Sequence, residues 1–97
     1  MRAAVVEKYG GPLSIRDIPT PNIGDDDVLV RVEAAGVCAT DLKVIDGEFG
    51  ADPSRLPLIP GHEIAGTVET VGHKVTDVAR GDRIAVHALF SCGGCEF

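Results

Sequence analysis

The stretch Val28-Leu29-Val30-Arg31-Val32-Glu33-Ala34-Ala35-Gly36-Val37-Cys38-Ala39-Thr40-Asp41 holds the clearest strand of the chain and the point at which that strand gives way. Val28, Val30, Val32 and Ala34 recur at every second position, so an extended backbone places them on one face. Beyond Gly36 the alternation stops. Thr40 or Asp41 can accept hydrogen bonds from the free amides of a first helical turn, so a short helix is expected through Asp46, with Gly47 ending it. Cys38 therefore falls where a strand turns into a helix.

Outward on the N-terminal side, Arg2 to Glu7 is a short apolar run, Tyr9-Gly10-Gly11-Pro12 is a turn signal, and Leu13 to Asp17 alternates as a half-buried strand does. These segments predict a β-hairpin. Pro19 and Pro21 break the pattern, and Asp25-Asp26-Asp27 is expected in a solvated turn before the main strand. On the C-terminal side, Gly47 to Pro60 contains Pro53, Pro57 and Pro60 and is expected to be a long loop, which in a compact domain is often functional. Glu63 to Val71 resumes a strand pattern with Gly66 inside it. Arg80-Gly81-Asp82 is a turn, Arg83 to Val86 a last short strand, and Ser91 to Phe97 a glycine-rich loop. With no βαβ alternation and no repeat, the fold class is mainly β, and no nucleotide-binding sheet is expected within these residues.

Composition agrees. The chain has 97 residues, 44% of them hydrophobic, enough for one small domain and no more. Twelve glycines and six prolines suit many turns between short strands. A formal charge of −6 with scattered Lys and Arg argues against a nucleic-acid partner, because that requires clustered cations to displace condensed counterions. No run approaches the roughly twenty apolar residues of a membrane span, and Met1-Arg2-Ala3 leads into strand-like sequence without a signal-peptide core. A cytoplasmic protein with no membrane partner is the expectation. The odd number of cysteines, three, favours metal binding, chemistry or core packing over disulfides.

Two motifs hold donors for a soft or borderline metal. Cys38 and His62 offer thiolate and imidazole, which zinc takes in tetrahedral geometry, usually with three protein ligands when the site is catalytic. Read alone, the pair favours the plainer account, a buried thiol and a hydrogen-bonded histidine. Cys92-Gly93-Gly94-Cys95 is a second thiol pair. A redox C-x-x-C usually opens a helix in a βαβ setting, which these residues lack. His73 and His87 are assigned no role.

Gly61-His62-Glu63-Ile64-Ala65-Gly66, with Gly72 and Val75 beyond, resembles the zinc signature of the medium-chain alcohol dehydrogenases. Gly36-Val37-Cys38-Ala39-Thr40-Asp41 resembles the ligand segment that precedes it in that family, and the hairpin, Gly81-Asp82-Arg83 and the final thiol pair extend the likeness over the whole chain. The resemblance implies a GroES-like, partly open β-barrel with one or two short helices. It further implies that residues 1–97 are an incomplete catalytic domain, truncated before a dinucleotide-binding domain absent from this chain. Cys38 and His62 would hold the catalytic zinc, Asp41 would orient the imidazole, and Glu63 would lie beside or on the metal, or else be an exposed carboxylate at a strand start. Thr40 would accept a hydrogen bond from the substrate alcohol and pass its proton on, or else cap the helix. Lys43 and Ala39 stand where some relatives have a relay histidine and a cofactor-binding arginine. Cys92 and Cys95 would supply half of a four-cysteine structural zinc site.

The implied activity is oxidation of an alcohol or polyol to a carbonyl with hydride transfer to NAD or NADP, by a protein that is a homo-oligomer when complete. The 97 residues alone are expected to be inactive. Two readings from other classes stand beside it: a non-catalytic GroES-like β-barrel interaction module, and a metal- or redox-binding fragment centred on Cys92 and Cys95.

Overall fold

The computed structural model of the chain describes residues 1–89. Among these residues, five strands form two separate antiparallel sheets, accompanied by one α-helix. Strand β1 (Arg2–Val6) pairs with β2 (Leu13–Asp17) around the Gly10-Gly11 turn, and Gly10 has φ 74°, a left-handed conformation that glycine adopts without steric cost. Strands β3 (Val28–Gly36), β4 (Glu63–Val71) and β5 (Arg83–Ala85) form the second sheet in the order β3-β4-β5. The sheets do not close on one another within these residues, so the mainly β, open GroES-like architecture expected from the sequence is found.

The alternation expected of Val28 to Ala34 is interrupted at Glu33, before Ala34. Between Leu29 and Val30 the register leaves Glu69 of β4 unpaired, and between Val32 and Ala34 it leaves Glu33 of β3 unpaired, so each strand carries one irregularity. Val32 precedes the irregularity at Glu33 and lines an open groove with Val30, which leaves it 56% exposed, whereas Val68 on β4 is 1% exposed. Gly66 lies beside this stretch: a Cβ there would collide with the Arg31 carbonyl, so the two backbones come this close only because position 66 has no side chain.

The fully enclosed core is small, comprising Val5, Val6 and Val68. Val6 donates to the Leu58 carbonyl at 2.7 Å and accepts from Leu58 N–H at 3.0 Å, which ties the first sheet to the proline-rich segment. That segment is less irregular than its sequence suggests. Pro53–Arg55 form a 3₁₀ turn capped by Asp52, whose carboxylate accepts from Ser54 N–H at 2.9 Å. Tyr9 Oη donates to the Asp52 carbonyl and Gly10 N–H to the Ile45 carbonyl, so the first hairpin also braces the end of the helix.

Helix α1 spans Ala39–Asp46 and ends at Gly47, φ 80°, as expected. Its start differs from expectation: Cys38, not Thr40 or Asp41, is the N-cap, and Asp41 is the third helical residue. The reason is the Asp41 side chain. It reaches back to accept from Cys38 N–H at 3.0 Å, satisfying an amide that the helix leaves free.

Candidate metal centre

Strand β3 and helix α1 meet at Cys38, and the proline-rich segment returns the chain to β4 at His62 and Glu63. Register does the rest. Gly36, the last residue of β3, pairs with Glu63, the first of β4, which sets the two motif segments side by side although they lie far apart in sequence. Donor atoms of Cys38, His62 and Glu63 all lie within 4.8 Å of one another. Cys38 and His62 are half-buried and Glu63 is exposed, so the cluster opens to the surface on the glutamate side.

Asp41 joins the two halves. One carboxylate oxygen accepts from Cys38 N–H, and the other lies 2.9 Å from His62 Nδ1. Its side chain is only 11% exposed, and no buried polar side-chain atom among the described residues lacks a partner. The Cys38 N–H holds the Asp41 carboxyl below the ordinary aspartate range; burial opposes this and the His62 ring adds to it. A carboxylate that stays ionised accepts a hydrogen bond from Nδ1–H and leaves Nε2 with its lone pair, the tautomer required of a metal ligand. The set of one thiolate sulfur, one imidazole nitrogen and one carboxylate oxygen matches the preferences of zinc.

Thr40 is exposed on the first turn of α1, and its hydroxyl has no hydrogen-bond partner among the described residues. Because Cys38 is the cap, the hydroxyl is not engaged in capping. Cys92 and Cys95 lie outside the described residues, so the expected half of a structural site is not placed. His73 pairs with Asp25 at 2.9 Å, and His87 Nδ1 accepts from Leu89 N–H at 3.2 Å; neither joins the cluster. Of the aspartate run, Asp27 accepts from Gly24 N–H at 2.9 Å in a tight turn, as a solvated loop would have it.

The described residues thus form an open antiparallel β-domain with a Cys/His/Glu cluster, a candidate metal site, at a strand-to-helix junction. Residues 24–97 match the alcohol dehydrogenase GroES-like domain family. The chain is 46% identical to an alcohol dehydrogenase of Geobacillus stearothermophilus, covering 100% of this chain and 29% of that protein. It is 43% identical to a sorbitol dehydrogenase of Bombyx mori over 96% of this chain and 27% of that protein. Among solved structures, a cobalt- and zinc-bound thermostable alcohol dehydrogenase from Pyrobaculum aerophilum superposes with a TM-score of 0.88 at 42% identity, covering 99% of this chain and 29% of that one. The chain belongs to the alcohol dehydrogenase GroES-like domain family and spans under a third of the length of these relatives. Among the described residues, no helix is long and apolar enough to cross a membrane.

Proposed function

We propose that this chain is the metal-bearing part of a zinc-dependent dehydrogenase that oxidises an alcohol or polyol to a carbonyl, with NAD or NADP accepting the hydride. The observation that supports this best is the Asp41 bridge: a single carboxylate fixes the Cys38 segment and the His62 ring while their donor atoms, with that of Glu63, gather within 4.8 Å. A structural thiol and a packing histidine would have no reason to share one ionised anchor. In this reading Cys38 and His62 are protein ligands, with Glu63 beside them as a further carboxylate donor.

A zinc ion held there would supply Lewis acidity, lowering the pKa of an alcohol oxygen so that it can be deprotonated near neutral pH. Asp41 keeps His62 in the tautomer that presents Nε2 to the metal and prevents the ring from turning. Thr40, free of a capping role and exposed at the head of α1, accepts the hydrogen bond of the substrate hydroxyl and passes its proton to solvent. Residues 1–97 form part of the catalytic domain, and the dinucleotide is bound by a domain outside them; Cys92 and Cys95 belong to a separate structural zinc site. The complete protein is a cytoplasmic homo-oligomer.

The reading is tested by assaying the native protein for metal-dependent reduction of NAD or NADP with a panel of primary, secondary and polyhydric alcohols. Turnover that is lost on chelation and in Cys38→Ser, with no turnover by residues 1–97 alone, is the expected result. Full activity of Cys38→Ser, or turnover by the isolated segment, would overturn it.

A further inference from the structure

Gly36 closes β3 directly opposite Glu63, yet nothing in its own backbone calls for glycine. The glycines with positive φ are Gly10, Gly47, Gly50, Gly61 and Gly81. What distinguishes position 36 is the neighbour it admits. A Cβ built there would lie 2.6 Å from Glu63 Oε2 and 3.0 Å from Glu63 Cβ. Directly opposed residues of an antiparallel pair ordinarily keep their Cβ atoms about 4.5 to 5.5 Å apart. The strand ends are therefore pinched together, and the glutamate stem lies over bare backbone.

We propose that Gly36 is a positioning residue for the metal centre: by having no side chain it lets the Glu63 carboxylate lie across the end of β3, within 4.8 Å of the Cys38 and His62 donors. This rests on the metal reading of those three residues. Any side chain at 36 must either push the carboxylate outward or part the strand ends. The contact closer than real Cβ atoms tolerate is with the carboxylate itself, so the carboxylate is what moves. Asp41 holds Cys38 and His62 from the other direction and does not touch Glu63 in any hydrogen bond among the described residues. Gly36 thus governs the one donor of the three that Asp41 leaves unconstrained.

The test is a double-mutant cycle on the purified native chain, with cobalt(II) as the probe and both affinity and the ligand-field spectrum as readouts. Gly36→Ala should weaken cobalt binding by roughly ten- to a hundredfold and alter the spectrum, the effect typical of losing an orienting contact. In a Glu63→Gly background, where neither clashing atom remains, Gly36→Ala should change neither readout further. Equal losses in both backgrounds, or an unchanged affinity and spectrum in Gly36→Ala, would overturn the proposal. If Gly36→Ala fails to fold, the double variant must regain the fold, and its failure to do so would equally overturn it. A parent chain that binds no cobalt would instead overturn the metal reading, and this proposal with it.

Discussion

Asp41 is the residue on which the site turns. Asparagine at this position has one acceptor and one donor where aspartate has two acceptors. If its oxygen serves Cys38 N–H, its amide donates to His62 Nδ1 and drives the ring proton onto Nε2, the wrong tautomer for a ligand. If it turns over, the Cys38 N–H faces a second donor. Asp41→Asn should therefore lose roughly ten- to a hundredfold in zinc affinity, measured by competition with a chromophoric chelator. The same carboxylate links stability to pH. Its folded pKa lies below the ordinary value, so the unfolded chain takes up the proton first. The stabilisation is present above the ordinary aspartate range and is lost as pH falls through the folded pKa. Thermal denaturation of the metal-free chain should show an acid slope that sets in as pH falls toward the ordinary aspartate value of about 3.9 and continues below it, and that Asp41→Asn flattens.

At the scale of elements, the register of β3 against β4 decides where the donors meet. Val68→Ala should cost about 2 kcal/mol, the transfer of two methyl groups with some cavity left behind, whereas Val32→Ala should fall within about 0.5 kcal/mol in this chain. Urea denaturation of the two variants distinguishes them, and comparable costs would contradict the enclosure of Val68 and the exposure of Val32. The sequence told these elements apart unevenly. The helix stop at Gly47 and the strand at Glu63 to Val71 are readable because each depends on residue type and local period, whereas Cys38 and His62 stand out as candidate donors only through the family motifs around them. The two irregularities are not readable, because an unbroken run of alternating valines looks the same whether or not its partner slips by one. The approach of Gly36 to Glu63 is hidden for the same reason: it exists only once the register across the two strands is known. The cap fell to Cys38 because Asp41 reached backward, a choice that local propensity cannot rank when Thr40 and Asp41 both qualify.

The whole molecule is open. Its accessible surface is 7427 Å², against roughly 5,300 Å² for a compact monomer of this size, and its radius of gyration is 15.1 Å against about 12.5 Å. Part of the excess is a largely apolar groove of about 530 Å³ between the two sheets, with Leu29, Val30, Ile59 and Ile64 among its walls. An apolar groove of this kind left without a cover favours association. Sedimentation velocity of the isolated segment should show a mean mass that rises with concentration; a strictly monomeric species throughout the accessible range would contradict this.

The metal centre itself is tested most directly by X-ray absorption at the zinc edge, on zinc-loaded chain in which Cys92 and Cys95 have been replaced by serine so that Cys38 is the sole thiol. The geometry predicts one sulfur at about 2.3 Å, at least one imidazole nitrogen at about 2.0 to 2.1 Å and light oxygen scatterers completing the shell. The sulfur contribution should vanish in Cys38→Ser. A shell without sulfur in the parent, or no bound zinc at all, would contradict the site.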